Sequence, residues 1–196
     1  AERTADAGGC VGAGTGCTAG KLNGTDSMMK SGLGSFAVRI GDVMVGALVA
    51  VNALGDVFDI DTGARIAGML SPDKRRFAGS EEALFRTCER RADNLFTGNT
   101  TIGAVVTNAA FSKSQLKKIA SMAHNGLART IRPVHTSADG DSIYALSTGH
   151  VRANQDAVGT LAALVMGKAV NRAVRAATGT ACCPAAGDLT FREDRG

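Results

Sequence analysis

The sequence predicts an α/β domain in which strands pack under helices. Two apolar, β-rich runs, residues 36–54 and 102–110, are typical of strands, and two later segments place their apolar residues on one stripe of a helix. The sequence shows no internal repeat. With 196 residues and a hydrophobic content of 44%, the chain is long enough for one domain with a substantial core.

The first half of the chain is expected to open with a loop and continue as a hairpin. Residues 8–20 are mostly small, which suits a loop where backbone approaches backbone or a ligand. Residues 36–54 hold two β-rich runs broken at Gly41-Asp42, which indicates a hairpin. Because its second strand, residues 43–51, is almost continuously apolar, we expect that strand to be buried on both sides.

The middle of the chain is predicted to contain turns and a helix. Residues 55–72 are rich in turn formers, with a tight turn expected at residues 61–63. A helix is predicted from Ser80 to about Asp93, because acidic residues occupy its first turn, where they favour the helix dipole. A polar linker, residues 94–99, follows it.

The second half alternates strands with helices. After the strand at residues 102–110, Ser112 and Gln115 form a capping-box pattern that opens a helix. Residues 137–141 are predicted as a turn and residues 143–146 as a short strand. A long amphipathic helix is expected over residues 155–177, followed by a mobile tail, residues 178–196. The apolar stripes of the two helices are formed by Leu116, Ile119, Ala120, Ala123 and Leu127, and by Val158, Leu161, Ala162, Val165, Ala169 and Ala173.

Composition argues against several classes of partner. The net charge of +4 comes from interspersed residues, and one tyrosine with no tryptophan leaves few rings to stack on bases, so no nucleic acid partner is expected. No apolar run reaches the roughly 18 residues of a membrane span. The three histidines and five cysteines show no ligand spacing, so no metal and no cofactor is expected.

The cysteines also indicate a compartment. They are odd in number and irregularly spaced, and no signal peptide is visible, so we expect reduced thiols in a cytoplasmic protein. The chain begins at Ala1 without a methionine and runs straight into its glycine-rich segment. It is therefore expected to be the later part of a longer protein.

The pair Asn99-Thr100 is the first candidate for chemistry, because it places a hydroxyl residue at the mouth of an apolar strand. A threonine hydroxyl is a poor nucleophile without a base, and a free α-amino group on the same residue can act as that base. If the bond between the two residues is cut, Thr100 carries both groups. The alternative is a strand-forming threonine at a strand entrance.

Two carboxylates and a lysine are further candidates. Asp139 and Asp141 flank Gly140, a spacing that can point both side chains into one site, although Asp-Gly-Asp is also ordinary turn chemistry. Lys21 closes the glycine-rich segment as a potential catalytic cation, with a surface lysine as the alternative. A phosphate-binding role does not fit, because no apolar strand precedes the glycines and Asn23-Gly24 breaks the helix that should follow.

Asn52 ends the most apolar strand, where burial of a side-chain amide is costly without partners. Its amide can donate to a developing oxyanion, or it can simply form the turn that follows. For His124, Arg132 and His135, a structural or surface role is expected.

Five separated motifs resemble one peptidase family, that of L-aminopeptidase/D-esterases, β-peptidyl aminopeptidases and nylon-oligomer hydrolases. In chain order they are VGAGTG (residues 11–16), KSGLGS (30–35), VGALVAVNALGDV (45–57), GNTTIGAVVTNA (98–109) and MAHNGLARTIRPVHTSADGDSIYALSTG (122–149). The resemblance covers residues 9–177. It implies an α/β/β/α four-layer sandwich of the self-cleaving N-terminal-nucleophile type, with the N-terminal part of the family fold absent from this chain.

The resemblance also implies a mechanism. Members cut themselves before a Ser or Thr, so residues 1–99 would be the C-terminal part of an α chain and residues 100–196 a β chain beginning at its nucleophile, Thr100. Lys21 would lie near that nucleophile, and Asn52 would polarise the substrate carbonyl. Asp139 and Asp141 would orient the amine and hydroxyl of Thr100.

The implied activity is hydrolysis of amide bonds in small peptides or related compounds, as an aminopeptidase or amidase. The implied partners are the protein's own upstream α segment and further αβ units of a homo-oligomer. Two alternatives stay open: acyl transfer to an amine such as ornithine, which a related self-cleaving fold performs, and a non-catalytic homologue that kept only the scaffold.

Overall fold

The computed structural model describes residues 8–89 and 98–189. The strands, in chain order, are β1 (Thr18–Ala19), β2 (Met29–Lys30), β3 (Leu33–Ile40), β4 (Val43–Ala50), β5 (Asp56–Phe58), β6 (Arg65–Ala67), β7 (Ile102–Ala109), β8 (Ile131–Arg132) and β9 (Ser142–Val151). The α-helices of the described residues are α1 (Ser80–Phe85), α2 (Lys113–Thr130) and α3 (Gln155–Arg175).

A four-stranded sheet in the order β3-β4-β7-β9 forms the centre of the fold. The predicted hairpin is confirmed: β3 and β4 pair antiparallel around a turn in which Gly41 has a φ of 58°, a conformation that glycine adopts without strain. β4 also pairs antiparallel with β7, whereas β7 and β9 are parallel neighbours joined through α2. β9 is longer than the predicted strand at residues 143–146.

α2 and α3 pack against each other and against one face of this sheet. Their predicted apolar stripes are confirmed, since Ile119, Ala123 and Leu127 of α2 and most of the stripe of α3 are fully buried. Complete burial of a side chain such as Leu or Ile contributes about 1.5–3 kcal/mol. The predicted capping box is present as well: the Ser112 side chain accepts from the Gln115 amide, and the Gln115 side chain accepts from the Ser112 amide.

The opposite face of the sheet carries large apolar side chains that the described residues leave exposed. The expectation that residues 43–51 are buried on both sides is therefore wrong here: Leu48 on β4 is 48% exposed, and Tyr144 on β9 is 64% exposed. Successive side chains of a strand point to opposite faces, and the helices of the described part of the chain cover only one of them. We call the other one the open face; its exposed apolar residues are Met44, Leu48, Ile102, Val106, Tyr144 and Leu146.

The glycine-rich loop packs beside the central sheet, and the short strands form two further sheets, β1-β2 and β6-β5-β8. The prediction that backbone approaches backbone in residues 8–20 is confirmed at Gly14, where a Cβ would lie 2.3 Å from the Leu33 nitrogen. Backbone hydrogen bonds from Ala53 to Thr18 and from Lys21 to Leu54 tie this loop to the chain that follows β4. The loop therefore lies beside the end of β4.

Two predicted segments differ from the structure. α1 ends at Phe85, earlier than expected, and turns continue to residue 89, while residues 90–93 and most of the predicted linker lie outside the described residues. Residues 178–189 of the predicted tail fold back onto the domain: the Pro184 carbonyl accepts from the Lys30 amide at 2.8 Å, and Cys183 and Ala185 are buried. Residues 190–196 lie outside the described residues.

α3 is long and apolar enough, by length and composition, to cross a membrane. Two-thirds of its most apolar window (67%) is buried inside the fold, against the sheet and α2. Packing in the core accounts for this composition.

Candidate active site

The topology brings the predicted site residues to one edge of the central sheet. In the parallel pair β7 and β9, Ile102 lies opposite Ser142, so Thr100 and Asp141, which come just before these strands, are neighbours. β4 runs antiparallel to β7 and ends at this same edge, with Ala50 opposite Ile102. Residues that are far apart in sequence meet because one strand ends where two others begin.

The peptide bond between Asn99 and Thr100 is held on both sides. The Asn99 carbonyl oxygen accepts the Gly140 amide at 2.9 Å and the Thr100 hydroxyl at 2.7 Å. The Thr100 amide donates to the Asn52 backbone carbonyl at 3.0 Å. The hydroxyl therefore lies beside the carbonyl group of the preceding residue, and a backbone N–H polarises that carbonyl.

Both polar atoms of the Asn52 side chain have hydrogen-bond partners, which accounts for an amide at the end of an apolar strand. Its Oδ1 accepts from the Lys21 ammonium at 2.5 Å and from the Thr18 amide at 3.3 Å. Its Nδ2 donates to the Gly98 carbonyl at 2.9 Å, two residues before Thr100.

Lys21 is a buried lysine and not the surface residue of the alternative interpretation, since only 3% of it is exposed. Burial disfavours the charged form and lowers the pKa of Lys21 to about 8, although the neighbouring Cys17 and Asp139 oppose this effect. A substantial share of Lys21 is therefore uncharged slightly above neutral pH.

The two carboxylates are held by different partners. Asp139 Oδ2 accepts from the amide and the hydroxyl of Thr136, at 2.9 and 2.7 Å. Asp141, whose side chain is 4% exposed, accepts from the Thr101 amide at 2.8 Å and from His135 Nδ1 at 2.9 Å. Asp141 therefore contacts the residue after Thr100, Asp139 is held within its own turn, and the direct partner of the Thr100 hydroxyl is the Asn99 carbonyl.

Sequence reasoning missed two contributors to this site. Gly140 supplies the amide that binds the Asn99 carbonyl, and a Cβ at this position would lie 2.7 Å from Thr100 Oγ1, so a larger residue would displace the hydroxyl or the turn. His135, expected to be structural or on the surface, holds Asp141. The Gly140 contact has no signal in the sequence, because it depends on how the turn before β9 folds against the start of β7. The His135 contact joins two residues of that turn, and it depends on the backbone conformation within the turn.

A cleft of about 430 Å³ adjoins Thr100 and Asn52. Its wall is mostly apolar, and Leu48, Ile102 and Tyr144 of the open face contribute to it. The cleft is therefore suited to an apolar group placed next to the Thr100 hydroxyl.

The described residues contain no group of three or more His, Cys, Asp or Glu side chains that is suited to a metal ion. All five cysteines are free thiols.

Solved structures with the same fold include two aminopeptidases. The L-aminopeptidase D-Ala-esterase/amidase of Ochrobactrum anthropi, described as a variant of the Ntn hydrolase fold, aligns with a TM-score of 0.58 over 90% of this chain and 47% of its own, at 22% identity. A β-aminopeptidase of Burkholderia aligns with a TM-score of 0.56 over 87% of this chain and 47% of its own, at 24% identity. The predicted Ntn-hydrolase fold is confirmed, and this chain supplies about half of it.

Relatives are also found by sequence. An uncharacterized aminopeptidase of Mycobacterium leprae is 39% identical over 150 residues, which is 76% of this chain and 39% of the relative. A 6-aminohexanoate-oligomer endohydrolase of Kocuria is 32% identical over 185 residues, which is 85% of this chain and 50% of the relative. The chain thus spans half or less of the length of these relatives. The model of peptidase family S58 matches residues 1–187, and the chain therefore belongs to that family.

Proposed function

We propose that the protein is an autoprocessing N-terminal-threonine hydrolase that cleaves amide bonds of small peptides or related compounds, as an aminopeptidase or amidase. The observation that carries this proposal is the geometry at the Asn99 carbonyl, which accepts the Thr100 hydroxyl at 2.7 Å and the Gly140 amide at 2.9 Å. Nucleophile and oxyanion donor thus meet at one peptide bond.

In the first step, Thr100 Oγ attacks the Asn99 carbonyl carbon, and the bond between that carbon and the Thr100 nitrogen breaks. The nitrogen takes a proton, which leaves an ester between the Asn99 carboxyl group and the Thr100 hydroxyl. Water then hydrolyses the ester, giving a carboxylate at Asn99 and a free α-amino group at Thr100. The Gly140 amide stabilises the charge that develops on the Asn99 oxygen.

This first step needs a base other than the Thr100 nitrogen, which is still an amide. Lys21 is suited to that role, because its pKa of about 8 leaves part of it uncharged near neutral pH. It contacts Asn52, whose backbone carbonyl holds the Thr100 amide. Lys21 and Thr100 are therefore linked through a single residue.

After cleavage, the new α-amino group, with an ordinary pKa of about 7.7–8.0, serves as the base for substrate turnover. A substrate carbonyl takes the position vacated by the Gly98-Asn99 segment, where Asn52 Nδ2 now donates to the Gly98 carbonyl. Thr100 Oγ is acylated, the amine product leaves, and water releases the acid. The apolar cleft beside Thr100 accommodates an apolar part of the substrate.

The open face supports a proposal about the rest of the protein. Six large apolar residues are exposed on a sheet whose other face is covered by helices, and this chain spans half or less of the length of its relatives. We propose that an upstream segment of the same protein packs on this face, completes the four-layer sandwich and closes one wall of the cleft. We also propose that such αβ units assemble into a homo-oligomer. A cytoplasmic location is proposed as well, because five free thiols fit a reducing compartment.

The hydrolase proposal is tested by turnover of α- and β-aminoacyl p-nitroanilides by the full-length protein. We expect activity in the parent, retention in Thr100→Ser, which keeps a hydroxyl, and loss in Thr100→Ala. A verified cleaved protein with no turnover across the panel would instead indicate a non-catalytic homologue.

A further inference from the structure

A chain of ring nitrogens leads from α2 to the candidate active site. His124 Nδ1 on α2 lies 3.3 Å from His135 Nε2, and His135 Nδ1 lies 2.9 Å from Asp141 Oδ2. The other oxygen of Asp141 accepts the Thr101 amide at 2.8 Å. Three side chains thus connect a helix to the residue that follows the proposed nucleophile.

A carboxylate only accepts, so His135 Nδ1 carries the hydrogen of the bond to Asp141. When the His135 ring is neutral, its Nε2 is an acceptor and His124 Nδ1 donates to it. Burial and the proximity of His135 lower the pKa of His124, whereas Asp141 acts in the opposite direction. The lowered pKa favours an uncharged ring at His124.

The backbone at His135 is unusual. Its φ of 56° lies in the left-handed region, which few residues with a β-carbon adopt, although Asn, Asp and His do so more often than the others. The next residue, Thr136, holds Asp139 through its amide and hydroxyl. His135 and Thr136 therefore each hold one of the two carboxylates. The backbone of His135 keeps its uncommon conformation while doing so.

We propose that His135 is a positioning residue for self-cleavage: it holds Asp141 so that the carboxylate anchors the Thr101 amide and keeps Thr100 against the Asn99 carbonyl, with His124 fixing the ring. This inference rests on the proposed function. Without His135, the Asp141 carboxylate loses one of its two donors and can rotate toward water. The Thr101 amide then loses its acceptor, and Thr100 is held less firmly against the Asn99 carbonyl.

The test compares variants that separate the hydrogen bond from the backbone. His135→Gly removes the ring and also relieves the left-handed backbone, so a defect cannot be attributed to strain. His135→Asn tolerates the same backbone and places an amide N–H near the position of Nδ1, which keeps the bond to Asp141 and removes the bond to His124. His124→Phe keeps the ring volume and removes only the second bond.

The readout is the rate at which the full-length protein is cut between Asn99 and Thr100, followed by intact mass after rapid purification, with melting temperature as the check on folding. We expect His135→Gly to slow cleavage roughly tenfold or more, His135→Asn to restore it to within about threefold of the parent, and His124→Phe to slow it about two- to fivefold. Parental cleavage in His135→Gly overturns the proposal, and so does a His135→Asn variant as slow as His135→Gly.

A second measurement does not depend on cleavage. In the Thr100→Ala protein, two-bond ¹H–¹⁵N correlations assign the ring tautomer, and we expect the Nδ1–H form at His135. The Nε2–H form overturns the proposal. If the parent stays uncut while His135 is in the Nδ1–H form, the proposed function is contradicted. If the parent is cut and His135→Gly is cut at the same rate, only the role of His135 is contradicted.

Discussion

The Gly140 amide lies 2.9 Å from the Asn99 carbonyl oxygen, at the edge of the sheet where β7 and β9 begin side by side. This contact joins the turn that carries both carboxylates to the bond that the proposed mechanism breaks. Glycine at this position leaves room for the Thr100 hydroxyl, which lies next to the Gly140 Cα.

Replacing Gly140 by alanine tests that contact. The new Cβ would lie 2.7 Å from Thr100 Oγ1, so either the hydroxyl or the turn must move, and we expect cleavage between Asn99 and Thr100 to slow by roughly tenfold or more. Gly187→Ala is the matched control, because a Cβ there meets nothing within 4 Å. Time courses by gel and intact mass measure both variants, and equal rates for Gly140→Ala and the control would contradict the account.

The buried lysine predicts a dependence of stability on pH. Lys21 has a pKa of about 8 in the folded chain and an ordinary value of 10.5, so the unfolded state binds more protons between these values. The free energy of unfolding should therefore rise with pH across this window, by on the order of 1–3 kcal/mol from this group.

Lys21→Met removes that contribution while keeping most of the side-chain length. Urea unfolding at pH 7.5 and pH 9.5 should show a smaller rise in the variant than in the parent. Identical pH dependence in the two proteins would mean that Lys21 is solvated and titrates normally.

Asn52 is expected to matter for turnover in addition to holding Lys21 and Thr18 in the fold. If its Nδ2 donates to the substrate carbonyl after cleavage, Asn52→Ala should lower kcat by roughly 10²–10³-fold, as expected for an oxyanion donor. Kinetics on protein already cut at Thr100 measure this effect separately from processing. A change in KM with an unchanged kcat would assign Asn52 to binding alone.

The open face predicts a difference between apolar positions of similar exposure. Leu48→Lys, on the open face, should lower the melting temperature and soluble yield of the full-length protein, because a charge would be buried under the upstream segment. Phe85→Lys, on α1 and 64% exposed, is the control and should have little effect. Equal tolerance of both substitutions would mean that the open face is solvated in the whole protein.

Much of the fold could be predicted because its signals are local. The hairpin turn at Gly41, the capping box at Ser112 and the stripes on α2 and α3 each depend on residues a few positions apart. Burial of both faces of β4 could not be judged in this way. An apolar run indicates that a strand is buried, but it does not show which segment covers each face of the strand. The helices of the described residues cover only one face of β4.

The candidate site, too, could be predicted from the sequence only in part. The family motifs identified five candidate site residues, which lie near one edge of the central sheet in the structure. They are Lys21, Asn52, Thr100, Asp139 and Asp141. The role of Gly140 arises from a turn folding against the start of a neighbouring strand, a contact between residues about 40 positions apart, and the role of His135 arises from the conformation of that turn.

In the proposed mechanism, the hydroxyl of Thr100 releases this residue as a new N-terminus. Intact mass and N-terminal analysis of the freshly purified full-length protein test it most directly, with Thr100→Ala beside the parent. We predict two fragments in the parent, the second beginning at Thr100, and a single intact chain in the variant. A parent that stays intact, or equal cleavage of both proteins, would contradict the account.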